Sequence, residues 1–193
     1  VFVMFYAPWC GHCTAVKPKF AKVARAFRSE SNVAIVAVDA TEDEEISSQY
    51  GIEGFPTFLF FKKGAETPTP YNDARTATAM VNAVNRAFGT DRLPNGRLTQ
   101  LAGTVAELNE LVIQWQSSSI TLKELEQQLP QGSYYRRVVE GMHRVGEDYV
   151  TKEKARLSKM MNEVHSVKAE QMDSIQRRLN ILDVFDDERD TAQ

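Results

Sequence analysis

Cysteine is nearly absent from this 193-residue sequence, which holds two, Cys10 and Cys13. With two residues between them they cannot staple distant parts of a fold, so structural disulfides are excluded and a reactive pair is not. No apolar run approaches the roughly 18 residues that a membrane-spanning helix needs. The chain opens without an initiator Met, a basic leader or a cleavable signal. Positive charge is not in excess either: 23 Lys and Arg stand against 26 Asp and Glu, a net charge of -3. That balance argues against a nucleic-acid binder with a broad basic surface. Hydrophobic residues make up 42% and charged residues 25%, the proportions of an ordinary globular chain, which excludes disorder as its main state. The length suits one large domain or two small ones.

What is present falls into two unlike halves. Val1 to Tyr6 is a continuous apolar run and reads as a strand buried on both faces. A buried central strand rarely opens a domain, so the sequence is expected to be a piece of a longer chain. Val16, Phe20, Val23, Ala24 and Phe27 share one helical face, with Pro18 expected to kink the helix. Val33 to Val38 reads as a second buried strand ended by Asp39, and Thr41 with the acids after it as a helix start. Phe58 to Phe61 reads as a third strand, with a short one near 69–71. Ala77, Met80, Val81, Val84 and Phe88 mark a closing helix. The order β-α-β-α-β-(β)-α over 1–88 is an α/β sandwich.

From Gly89 the composition changes. Residues 89–103 are rich in turn formers and read as a linker, and beyond Thr104 no strand pattern remains. Helical stripes follow: Val105, Leu108, Leu111, Val112 and Trp115; a short helix from Leu122 to Leu129; Tyr134, Val138, Val139, Met142 and Val145. Two more comprise Leu157, Met160, Met161 and Val164, capped by Thr151, and Met172, Ile175, Leu179 and Leu182. The stripes, with Met160-Met161 and Tyr134-Tyr135, are expected to be core rather than a client groove. This all-α domain covers 104–185, with 186–193 an acidic solvated tail. Residues 1–88 hold nine basic and nine acidic residues, so the whole acidic excess lies in the second half.

The chemistry concentrates in Trp9-Cys10-Gly11-His12-Cys13, where a buried strand meets a helix. A thiolate is the nucleophile of disulfide exchange, and unpaired amides and the macrodipole at a helix N-terminus stabilise it. Cys10 is expected to be the exposed attacker and Cys13 the buried resolver, with protonated His12 favouring the thiolate further. A zinc site is disfavoured, since closed sites take four ligands and there is no third cysteine. His143 and His165 stand far away in the helical half and read as solvent-facing.

Phe5-Tyr6-Ala7-Pro8-Trp9-Cys10-Gly11-His12-Cys13, Val38-Asp39-Ala40-Thr41, Tyr50-Gly51-Ile52 and Gly54-Phe55-Pro56-Thr57-Phe58 resemble the catalytic thioredoxin-like domain of the protein disulfide isomerase family. The resemblance implies that Pro56 is cis against the active-site pair, with Trp9 and Phe55 flanking it and nearby backbone binding the substrate chain. It also implies a strand and a helix upstream of Val1. Reduction potentials of about −270 mV for thioredoxin and about −180 mV for the isomerase differ by about 90 mV, or roughly 4 kcal/mol. The two residues between the cysteines are one lever on that gap. The position matching the family's buried glutamate is Met4, and that matching its partner lysine is Ala37. Losing both removes a proton shuttle for Cys13 without leaving an unpaired buried charge. Arg75 matches an arginine that activates the resolving cysteine, and reads equally as a solvated arginine at a helix start.

Leu98-Thr99-Gln100-Leu101-Ala102-Gly103, Leu108-Asn109-Glu110-Leu111, residues 149–157 and Arg178-Leu179-Asn180-Ile181-Leu182 resemble the helical D domain of Windbeutel-type proteins. That resemblance implies a five-helix bundle assisting secretory clients or partners. Together the two resemblances imply a thiol-disulfide oxidoreductase of the endoplasmic reticulum lumen acting on protein and peptide thiols and disulfides. It would need no metal or organic cofactor, and neither nucleic acid nor membrane as partner. Two alternatives stay open: a chaperone or complex-subunit binding module with a slow CxxC, which Met4 and Ala37 favour, and a cytosolic thioredoxin, which His12 and the bundle disfavour.

Overall fold

The computed structural model describes all residues except 43, 147, 164–167 and 187–193, and at 44 and 163 the backbone alone. Expectations for Asp43, Val164, His165 and the tail beyond Asp186 lie outside the described residues. The chain divides into two compact units, 1–99 and 100–193.

The first unit is built on β1 (Phe2–Tyr6), β2 (Ile35–Asp39), β3 (Thr57–Phe60) and β4 (Thr69–Pro70), in the spatial order β2-β1-β3-β4. β1 runs parallel to β2 and antiparallel to β3, and β3 antiparallel to β4. Alternation along β1 explains its all-apolar sequence. Phe2 and Met4 face a core closed by helices α1 (Gly11–Ala26) and α3 (Ala77–Phe88), through Val16, Phe20, Val23, Met80, Val81 and Val84. Val3 and Phe5 face the opposite side, covered by Ile46 and Tyr50 around helix α2 (Glu44–Gln49). Phe2 lies at the centre of an aromatic group, its ring stacked on Phe60 at 4.3 Å and tilted against Phe20 at 5.5 Å. α1 runs on past Pro18.

One strand departs from expectation. β2, expected to be buried, is an edge strand with Val36 and Ala37 exposed. Its one strand neighbour among the described residues is β1. The register places Ala37 directly beside Met4.

The turn-rich stretch after α3 is ordered against this unit. Gly89 closes α3 at φ 65, the left-handed region where glycine carries no Cβ penalty. Asn85 then ties the backbone down, donating from Nδ2 to Arg92 O at 2.8 Å and accepting from Arg92 N–H at 2.9 Å. Arg92, 3% exposed, donates Nε–H to Glu30 Oε1 at 2.6 Å and Nη1–H to Gly96 O at 3.0 Å.

The second unit holds five helices among the described residues: α4 (Ala106–Gln116), α5 (Leu122–Gln128), α6 (Tyr134–Val145), α7 (Tyr149–Glu163) and α8 (Ala169–Phe185). Val112, Leu125, Tyr135, Val138, Val139, Leu157, Ile175 and Leu182 form its core. α5 starts with a capping box, Thr121 and Glu124 each satisfying the other's backbone. Val105 has no capping side chain of its own. The Tyr135 hydroxyl accepts its N–H at 3.0 Å while donating to Asn109, a cap supplied from another helix. Three expectations are corrected. Thr151 lies within α7 rather than capping it, since α7 begins at Tyr149, whose ring packs on Gly141. Val105, Val145 and Met160 are exposed at the margins of their stripes. Asp186 is not free in solvent but pairs with Lys154, as does Asp183 at 2.9 Å. His143 is solvent-facing and also pairs with Glu126 at 3.2 Å.

Candidate active site

Cys10 is the N-cap of α1, with extended backbone (φ -80, ψ 114), and its Sγ accepts the Cys13 N–H at 3.4 Å. A cap residue leaves the first amides of the helix pointing at its side chain. Here that side chain is sulfur, so the positive end of α1 falls on a thiol. Both cysteines are free thiols. Cys10 keeps 8% of its surface and Cys13 1%, so the attacker expected to be exposed is itself largely covered. Ala7 and the rings of Tyr6 and Phe55 form that cover.

The Phe55–Pro56 peptide is cis. The loop carrying it brings the Phe55 carbonyl to the pair, where it accepts from Cys10 Sγ–H at 3.5 Å. Trp9 stands out from the surface, 76% exposed, its ring edge-on to Phe55 at 5.9 Å. The Phe55 ring thus packs beside the dithiol, with the exposed indole against that ring. Gly11 and His12 form the first turn of α1, both exposed. The backbone of His12 is among the groups favouring the Cys10 thiolate.

The two sulfurs are tuned apart. The Cys10 thiol titrates below its ordinary value, first because the Cys13 thiol hydrogen-bonds to it. The backbone amides of Cys13 and His12 and the more distant charge of Arg75 pull the same way. The Cys13 thiol titrates above its ordinary value, chiefly through burial and then through the same bond to Cys10. A low attacker beside a high resolver is the asymmetry that exchange through one sulfur requires.

Arg75 directly precedes Thr76, the N-cap of α3. The loop before it is set by the Tyr71 hydroxyl donating to Ala74 O at 2.6 Å. Arg75 is exposed and borders a groove of about 200 Å³ shared with Pro56, Thr57 and Tyr71. Its charge acts on Cys10. The cation acting on Cys13 is Lys17, four residues along α1 and held 3.7 Å over the Tyr6 ring. Sequence reasoning missed Lys17, although the spacing from Cys13 was there to be read. Among the described residues no group of His, Cys, Asp or Glu is placed to hold a metal ion. No helix among them is long and apolar enough to cross a membrane.

A dithiol capping the first helix of a mixed sheet, faced by a cis-proline loop, defines a thioredoxin-fold dithiol protein. The family model described as Thioredoxin matches residues 1–86, and that described as Endoplasmic reticulum protein ERp29, C-terminal domain, matches 97–185. The chain is thus a thioredoxin domain followed by an ERp29-type helical domain, and curated proteins similar to it are named protein disulfide-isomerases. It is 34% identical over 96% of its length to Protein disulfide-isomerase erp38 of Neurospora crassa, covering 53% of that protein. It is 35% identical over 100% of its length to Protein disulfide-isomerase tigA of Aspergillus niger, covering 55%. The chain thus spans about half the length of these curated relatives. Among solved structures, the first thioredoxin domain of mouse Protein disulfide-isomerase A4 overlays with a TM-score of 0.41 at 31% identity, covering 51% of this chain and 69% of that one.

Proposed function

We propose that the chain catalyses thiol–disulfide exchange on protein and peptide clients through Cys10 and Cys13. One observation carries the reading: Cys10 is both the N-cap sulfur of α1 and the hydrogen-bonding partner of the Phe55 carbonyl beside cis Pro56. In the reducing direction the Cys10 thiolate attacks a client disulfide. A Cys10–client bond forms, and one client sulfur leaves as a thiolate that takes a proton from water. Cys13, once deprotonated, attacks Cys10; the Cys10–Cys13 bond forms and the second client sulfur leaves with the electron pair. Oxidation of a client is the same path reversed. The cysteines carry the electrons, so no metal or organic cofactor is required. Gly11 keeps the first turn of α1 free of side-chain bulk, and His12 lends its amide and, when protonated, its charge to Cys10. Arg75 lies where it can stabilise a thiolate at Cys10, and Trp9, Phe55 and Pro56 form the surface against which a client chain lies.

The relatives' names support this reading, and the ERp29-type domain supports secretory clients and the endoplasmic reticulum lumen as the place of action. Insulin reduction and reactivation of scrambled ribonuclease test it. Wild type is expected to act in both and Cys10→Ala in neither. Equal activity of the two proteins overturns the proposal. A second reading, a client-holding module whose dithiol turns over slowly, is favoured by the apolar pair Met4 and Ala37, which neighbour each other on adjacent strands. It predicts suppression of client aggregation undiminished by Cys10→Ala.

A further inference from the structure

Cys13 must lose a proton before it can displace a client from Cys10, and it does so at 1% exposure with the apolar Met4 in the adjoining core. Lys17 follows Cys13 by four residues on α1, so the two side chains share one helix face. Helical side chains lean towards the N-terminus, which carries the Lys17 stem back over the turn that holds Cys13. There Nζ sits 3.7 Å above the centre of the Tyr6 ring, and the same ring packs on the Ala7, Cys10 and Cys13 cluster. Lys17 is an exposed side chain, and the Tyr6 ring gives its ammonium a seat on the sulfur side of the helix.

We propose that Lys17 is a positioning residue for the resolving step: its ammonium, clamped over Tyr6, stabilises the Cys13 thiolate where a buried acid–base pair is lacking. The inference rests on the exchange reading above. The Cys13 proton passes to water and Lys17 stays protonated throughout. The thiolate then attacks Cys10 Sγ, the Cys10–Cys13 bond forms, and the client sulfur leaves with the electron pair. The groups facing Cys13 are Cys10 at the cap, Lys17 on α1, Tyr6 from β1 and the Ala7 backbone; Arg75, before α3, acts on Cys10. Burial and the Cys10 thiol push Cys13 up, and the Ala7 backbone and Lys17 oppose them. Removing the charge therefore raises Cys13 further and lowers its thiolate fraction at neutral pH.

The test mixes reduced full chain with one equivalent of dithiobis-nitrobenzoate in a stopped-flow instrument. The first coloured thiolate reports attack by Cys10, and the second reports resolution by Cys13. Lys17→Met and Lys17→Gln are expected to leave the first phase within about twofold. They should slow the second about three- to tenfold at pH 7, because a higher Cys13 pKa leaves less thiolate, and move its pH midpoint upward. Lys17→Arg should restore it. An unchanged second phase in both neutral variants, equal slowing of both phases, or failure of Lys17→Arg to restore the rate each overturns the proposal. Wild type that shows both phases yet does not reduce insulin would defeat the client reading and leave the Lys17 result standing.

Discussion

Met4→Glu, alone and with Ala37→Lys, probes the apolar pair behind the dithiol. Met4 is 1% exposed in an apolar core with Phe2, Val16, Phe20 and Phe58, where a carboxylate loses its water. The introduced acid stays protonated. Holding a carboxyl neutral at pH 7 against a reference pKa of about 4.3 costs about 3.7 kcal/mol. The methionine's lost apolar burial adds roughly 1–2 kcal/mol, so the total approaches about 5 kcal/mol. That is a large share of the roughly 5–15 kcal/mol by which domains are usually stable. Ala37 sits beside Met4 on the neighbouring strand and is exposed, so a lysine there can keep its head in water and still reach the acid. The double variant is expected to recover about half of the loss and, where the introduced acid serves as a proton shuttle for Cys13, to speed the second thiolate phase. Urea denaturation of Met4→Gln, Met4→Glu and the double variant between pH 4 and 8 measures the first effect. A folded pKa raised above the unfolded one means the Met4→Glu penalty is small below about pH 4.3 and grows as pH rises. A gap between Met4→Glu and Met4→Gln that does not change with pH would refute the reasoning, as would a double variant no more stable than the single one.

Three further outcomes can be measured. Because Cys10 titrates below an ordinary thiol, its alkylation should reach half-maximal rate at a lower pH than that of a free cysteine peptide, leaving Cys13 unmodified by mass spectrometry; a midpoint at or above the peptide's contradicts the cap. Glu30→Gln leaves the Arg92 guanidinium buried without its 2.6 Å carboxylate partner and should cost about 3 kcal/mol, read as a lower urea midpoint at unchanged slope. In the helical unit, a Cβ at Gly141 would run into the Tyr149 ring. Gly141→Ala should therefore destabilise by about 1–3 kcal/mol, and thermal unfolding equal to wild type would show that the ring moves aside freely.

Most of the architecture was legible because its signals are local. The continuous apolar run at Val1 to Tyr6, the period-3.6 stripes of the later helices and the close spacing of Cys10 and Cys13 need no distant partner to be read. The exposure of β2, the early start of α7 and the capture of Asp186 by Lys154 were not legible, since each depends on what lies across space from it. Local apolar content says that Val33 to Val38 is a strand, and says nothing of whether it has one neighbour or two.

The sequence by itself determined that a reactive dithiol opens a helix after a buried strand, and that Met4 and Ala37 cannot hold an ion pair. Only the tertiary structure decided how the two sulfurs differ. The Phe55 carbonyl reaches Cys10 from 45 residues away, and Tyr6 holds Lys17 on the side of Cys13. A thiol's proton affinity is set by burial, hydrogen bonds and nearby charge, and these come from whichever elements the fold brings together.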